Sequence, residues 1–298
     1  MYDIIGKKYL FLTISLLLVA ASVASIATYG FKEGIDFAGG TSWQVRLAEK
    51  PTAEAVSAAL MKEFGLQEAI AIEEPATKSI ILRLPELNEE MHASYRTALE
   101  KEFGAIEELE YETIGPAIGN ELRGKATWAF LAVLITISLY IAFAFRHVSR
   151  PVSSWKYGFV TLATLFHDAL IPLGLLAYLG HTKGVEINTN IVVAILVIIG
   201  FSVHDTIVVF DRIRENLRTE KNPSSGFASL VNRSMNQTVI RSINTSLTLV
   251  LTLTALILFG SQNLFYFVLT ILVGVVIGVY SSIFVASPLL VLWNKERA

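Results

Sequence analysis

Residues 187–210 read INTNIVVAILVIIGFSVHDTIVVF. Past Asn190 the run is apolar except for Ser202, His204, Asp205 and Thr206. About 20 apolar residues in a helix cross the hydrocarbon core of a bilayer. A carboxylate near the centre of such a helix costs roughly 2.5–3.5 kcal/mol on insertion scales. Asp205 therefore needs a partner, a proton or a task, and the chain reads as a membrane protein that handles ions or protons.

The rest of the chain has the same character. Of its 298 residues 53% are hydrophobic and 17% charged, against about 25% charged in soluble proteins. The mean hydropathy is +0.55. Six stretches have spanning length: Tyr9–Tyr29, Ala126–Phe145, Tyr157–Gly180, Ile187–Phe210, Asn236–Phe259 and Leu264–Trp293. The last two belong to one uncharged run, which the turn signal Gly260-Ser261-Gln262-Asn263 must split. The first stretch is longer than the 7–15 residues of a signal-peptide core, so it is read as a retained helix.

Orientation follows from the short loops. Arg146, Arg150 and Lys156 separate the second and third spans, and Arg212, Arg214, Arg218, Lys221 and Arg233 lie in the 211–235 loop between the fourth and fifth. Lys7 and Lys8 precede the first span, and Lys295 and Arg297 follow the last, whereas the opposite short loops carry only Lys183. The positive-inside rule then makes both termini cytoplasmic and residues 30–125 extracytoplasmic.

With no cysteine, the external segment has no disulfide. The five histidines lack metal-ligand spacing, and neither a phosphate-binding GxxxxGK[ST] loop nor a nucleic-acid patch occurs. No cofactor, metal or nucleic acid is expected, and no bound nucleotide fuels the work.

Residues 30–125 are acidic, with 18 Asp/Glu against 10 Lys/Arg. The acidity reads either as ordinary solubility or as a face for basic polypeptide segments. Strands are predicted over 42–47, 69–72, 79–84 and 106–113. Helices are predicted over 52–64 and 88–103, stopped by Gly65 and Gly104. This β-α-β-β-α-β order is that of a ferredoxin-like unit. The fold class is therefore an α-helical polytopic membrane protein with six transmembrane helices and an α+β extracytoplasmic domain between the first two. Just ahead of that domain, residues 34–41 read GIDFAGGT. Gly34, Gly39 and Gly40 allow positive φ and close backbone approach, and the physical reading is a tight junction in which Asp36 caps local amides.

Within the spans, Asp205 and Arg241 fall at similar depth on consecutive antiparallel helices, so a pair between them is available. The pair reads as a static lock, or as a switch in which an arriving proton displaces the guanidinium. Thr245, Thr248 and Thr252 extend Arg241 into a polar stripe, which reads as a hydrated path or as interhelical hydrogen bonding. His167-Asp168 in the third span is a second costly pair, either a proton relay to Asp205 or a structural contact. His204 points about 100° away from Asp205 around the helix. Gly274 and Gly278 form a GxxxG face whose neighbour the sequence leaves open.

Four segments carry a family resemblance. GIDFAGGT resembles the GIDFxGGT signature after the first span of SecD and SecF proteins. VHDTIVVFDRIREN (203–216), NQTVIRSINTS (236–246) and FHD (166–168) resemble SecF-type segments of the fourth, fifth and third spans. The resemblance covers essentially the whole chain and implies one six-span half of an RND-type membrane protein. It implies action with SecD, the SecYEG translocon and YajC in the bacterial cell (inner) membrane, where the proton motive force helps draw a translocating preprotein across. It places the family's functional acid and base on Asp205 and Arg241, and leaves a further intramembrane Asp to SecD. His204 stands where the family often has Asn. Such a chain is no enzyme; its partners are the export machinery, the preprotein and membrane lipid. The competing reading is half of an RND-type exporter of lipids or small hydrophobic molecules.

Overall fold

The computed structural model describes residues 2–66, 69–74, 77–146, 152–219, 226–261 and 264–294. The readings above that rest on Arg150, Lys221, Lys295, Arg297 and Gln262-Asn263 lie outside these residues. In chain order the elements are α1 (Lys8–Tyr29), α2 (Ile35–Ala38), β1 (Gly40–Leu47), α3 (Ala53–Phe64), β2 (Ile70–Glu74), β3 (Ser79–Leu84), α4 (Glu89–Phe103), β4 (Ile106–Ile114) and α5 (Pro116–Ala144). There follow α6 (Ser154–Lys183), α7 (Thr189–Thr219), α8 (Gly226–Phe259), α9 (Phe265–Ser281), a π-helical turn (Ser282–Ala286) and α10 (Ser287–Trp293). Two compact units result, residues 33–127 and the remainder.

The smaller unit carries an antiparallel sheet of order β2-β3-β1-β4. This is a split β-α-β arrangement, with β3 inserted between the parallel strands β1 and β2. Its helices start where side chains replace missing backbone partners: Thr52 accepts from the Ala55 amide at 3.3 Å, and Asn88 from the Met91 amide at 2.8 Å. Gly65 ends α3 in the left-handed region, where a side chain would be strained. Trp43, Val45, Leu60, Leu82, Tyr95 and Leu99 fill the core between sheet and helices.

GIDFAGGT is a backbone device within this unit. Gly39 and Gly40 have φ of 77° and 120°, and a Cβ on Gly39 would come within 2.9 Å of the Pro116 backbone. One on Gly40 would lie 2.8 Å from the Leu84 carbonyl oxygen. Gly34 is extended and has no such need. Asp36 lies in the first turn of α2.

Among the described residues, six helices are long and apolar enough to cross a membrane: α1, α5, α6, α7, α8 and the α9–α10 rod. They outrun the apolar stretches. α5 begins ten residues before Ala126 and α8 ten before Asn236. A helix closes its own backbone hydrogen bonds, so it continues into polar sequence beyond the hydrocarbon. α6, α7 and α9 form the packed interior, while α1, α5 and α8 present exposed apolar faces such as Leu16, Ile135, Leu139 and Leu251.

Small residues let these helices close. A Cβ on Gly174 of α6 would fall 2.4 Å from Ser22 of α1, and Ser25 donates to the Gly174 carbonyl at 2.8 Å. The GxxxG face of α9 meets α7 of the same chain. Gly274 lies under Ile198, whose Cδ1 would be 2.2 Å from an added Cβ, and Gly278 lies under Ser202 at 3.1 Å.

At the end of the bundle where α7 and α8 extend, residues 2–5 form a strap. The amides of Ile4 and Ile5 donate to Asn232 Oδ1 at 2.9 and 3.1 Å, and the Tyr2 amide donates to Asn236 Oδ1 at 2.7 Å. Both asparagines return a bond to the Tyr2 carbonyl, at 3.0 and 2.9 Å. Ile4 and Ile5 are buried beside Phe210, Ile213, Phe227 and Val231.

The α7–α9 contact yields a test. Gly274→Leu is expected to lower the melting temperature in detergent, because overpacking costs about 1–3 kcal/mol. Adding Ile198→Ala, which clears the space, recovers much of the loss.

Candidate functional site

Two carboxylates lie inside the bundle, and their surroundings differ. Asp168, in the middle of α6, is 0% exposed. Its Oδ2 accepts from the hydroxyls of Ser202 on α7 and Ser281 on α9, the latter at 2.6 Å. Its Oδ1 lies 2.7 Å from His167 Nδ1. Three helices therefore converge on one acid. Hydrogen bonds to a charged group contribute about 1.5–3 kcal/mol each. Two backbone irregularities flank it: Pro172, which has no N–H for the Asp168 carbonyl, and the π turn after Ser281.

Asp205, on α7, is 2% exposed. Its carboxylate faces the hydroxyls of Ser246, at 3.4 Å, and Ser242, both on α8. The Ser246 distance is beyond a normal O–H···O bond, and that hydroxyl sits only 2.8 Å from the Ser242 carbonyl of its own helix. Ser242, one turn before Ser246, is also buried. Asp205 thus faces two serines across α7 and α8; among the described residues it forms no salt bridge, and the adjoining His204 is the basic group that acts on its charge.

The expected Asp205–Arg241 pair is not made in this structure. Ser242 and Ser246 occupy the inward face of α8, and Arg241 is turned about 100° from Ser242, onto an exposed face. Thr245, Thr248 and Thr252 share that outward face. Their hydroxyls donate to carbonyls of α8 itself, at 2.9, 2.7 and 3.0 Å. The stripe therefore does not line a path to Asp205 within this chain. His204 is exposed, on a different side of α7 from buried Asp205. His167 is buried, with its Nε2 lacking a hydrogen-bond partner among the described residues. Ser202, Ser281 and Ser246, which the structure brings to the acids, are not marked as acid partners by the sequence; the i, i+4 spacing of Ser242 and Ser246 defines a second polar stripe on α8 without saying which stripe turns inward. Among the described residues no cluster of metal-ligating side chains occurs.

Six spanning helices, a ferredoxin-like unit after the first, and acids held inside the bundle define a polytopic membrane protein with buried carboxylates. The model of "Protein export membrane protein SecD/SecF, C-terminal" matches residues 94–296, and that of the "SecD/SecF GG Motif" matches residues 24–49. The chain belongs to the SecD/SecF family of protein-export membrane proteins. It is 42% identical to the protein translocase subunit SecF of Thermobaculum terrenum, over 99% of this chain and 95% of that one. It is 35% identical to the SecF subunit of Anaerolinea thermophila, over 99% and 95%. A crystal structure of SecDF from Thermus thermophilus, described as a translocon-associated membrane protein, superposes with a TM-score of 0.84 at 35% identity. The match covers 99% of this chain and 39% of the longer SecDF chain.

The two acids are expected to respond oppositely to removal of charge. Asp168→Asn weakens the acceptor that holds α7 and α9 and lowers thermal stability in detergent by about 1.5–3 kcal/mol. Asp205→Asn removes a buried charge that has no charged partner and leaves the melting temperature unchanged or higher. Thermal denaturation of the two purified variants checks the ordering.

Proposed function

We propose that this chain acts as a SecF-type subunit that uses the proton gradient to assist protein translocation, with Asp205 as its proton-exchanging group. The observation that carries the proposal is the environment of Asp205: a buried acid on an inward helix face, met by hydroxyls rather than by a cation. Hydroxyls both donate and accept, so Ser242 and Ser246 accommodate either form of the acid. A fixed ion pair would favour only one.

Arg241 enters from the other direction. An arginine within a membrane span is costly against lipid and is expected to face protein or water. On the outward face of α8 its natural counterpart is a carboxylate on a second six-helix half. The fused SecDF relative, more than twice as long as the region matched, supports SecD as that half. Proton arrival at Asp205 changes the charge beside α8, and α8 carries Arg241 on its other side. That links protonation to the packing of the two halves. Coupling requires two arrangements of different proton affinity. A second SecDF structure, in a super-membrane-facing form, matches this chain with a TM-score of 0.69 rather than 0.84, which supports such plasticity.

The remaining assignments belong to the same reading. The SecYEG translocon and YajC are the associated machinery, a preprotein is the moving cargo, and the site is the bacterial inner membrane. Both termini are cytoplasmic and residues 30–125 lie outside. Aromatic residues fit this placement: Trp155 and Trp293 mark one end of the bundle and Trp128 the other. The alternative, half of an exporter of small hydrophobic molecules, is set aside because the named relatives spanning nearly the whole chain are translocase subunits.

Asp205→Asn in the assembled membrane complex is expected to abolish the gradient-dependent part of preprotein export while co-purification of the complex persists. Arg241→Ala should give the same loss, and Arg241→Lys a partial one. Full gradient-dependent export by Asp205→Asn would falsify the role given to this acid.

A further inference from the structure

Asp168 and Asp205 are tied to the same turn of one helix. Ser202, which donates to Asp168, stands three residues before Asp205. The two side chains are about 60° apart around α7. Gly278 of α9 closes on Ser202, so that an added Cβ there would lie 3.1 Å from Ser202 Cβ. At this turn α7 is thus held by a hydrogen bond from Ser202 to α6 and by backbone contact with α9. Thr206, one residue beyond Asp205, donates to the Ser202 carbonyl at 3.2 Å. From the α8 side Asp205 meets only the hydroxyls of Ser242 and Ser246 among the described residues, the latter at 3.4 Å.

The direction of the bonds also matters. The hydroxyls of Ser202 and Ser281 both lie within hydrogen-bond reach of Asp168 Oδ2, and the Ser281 hydroxyl is also 3.1 Å from the Gly278 carbonyl of its own helix. The His167 ring meets Oδ1 through Nδ1, and its Nε2 reaches no partner among the described residues. These side chains converge on Asp168, and among the described residues no side chain bridges it to Asp205. Such a cluster grips the helix; it does not pass a proton along.

We propose that Asp168 is a positioning residue for Asp205: through Ser202 it sets the rotation of α7 and so aims Asp205 at Ser242 and Ser246. Ser281 gives the same acid its hold on α9, just before the π turn. The inference rests on Asp205 being the proton-exchanging group, and its test separates the two claims.

Ser202→Ala keeps the Cβ that packs on Gly278 and removes only the hydroxyl. The full complex, reconstituted with its partner subunits in vesicles, is assayed for gradient-dependent export. The protonation of Asp205 is followed by its carboxyl infrared band, identified as the band missing in Asp205→Asn. Ser202→Ala is expected to move the pH midpoint of that band away from its native value, because Asp205 is re-aimed relative to Ser242 and Ser246, and to reduce export several-fold. Ser202→Thr restores the hydroxyl and both properties. Ser281→Ala, on a different helix, is read by the same two criteria and guards against a folding defect in the first variant. Native midpoint and native export in both alanine variants overturn the proposal. So does a second titrating band that disappears in Asp168→Asn, since Asp168 would then exchange protons itself. Retention of gradient-dependent export by Asp205→Asn sinks the proton-exchange reading instead, whatever Ser202→Ala does to the band.

Discussion

An acid in a bilayer-spanning bundle has to find its hydrogen-bond donors among neighbouring helices, because hydrocarbon supplies none. Asp168 meets that demand from α6, α7 and α9 together. The glycines that bring α9 onto α7 and the serines that face inward are the conditions for it. With Gly278 enlarged, Ser202 would be displaced from its place, and with either serine lost, the acid loses a donor. Helix spacing and polar satisfaction are thus one constraint, met by small residues at the crossing points.

The same bundle leaves Asp205 with little. Two buried carboxylates of identical chemistry therefore stand in contrasting surroundings, one gripped from three helices and one facing two hydroxyls of α8. A difference in environment is what allows like groups to take unlike roles. Arg241, by contrast, lies on the exposed face of α8, away from Ser242 and Ser246.

Much of this was legible in the sequence. Six apolar stretches gave six helices, because twenty apolar residues have few other fates. Thr52, Asn88, Gly65 and Gly104 marked helix ends in the smaller unit through capping chemistry that acts over three or four residues. The faces of α8 were not legible. Arg241-Thr245-Thr248-Thr252 and Ser242-Ser246 are both polar stripes at helical spacing, and periodicity alone does not say which turns inward. The partners of Asp168 were hidden for a related reason. Ser202 and Ser281 are 34 and 113 residues away from it in sequence, and only the packing of α6, α7 and α9 brings them together. Helix lengths were underestimated because hydropathy reports the solvent around a segment, not the hydrogen bonding within it.

The strap at residues 2–5 is recognised through its main chain. Asn232 and Asn236 hold amides and a carbonyl, and ask of the strap only that those groups exist. Outside the two isoleucines and Asp3, whose carboxylate accepts from the Gly6 amide at 2.8 Å, its composition is therefore free to drift, provided proline stays away from positions 2, 4 and 5. What evolution has to guard at this end of the molecule lies some 230 residues downstream, in a pair of amide side chains spaced one helical turn apart on α8.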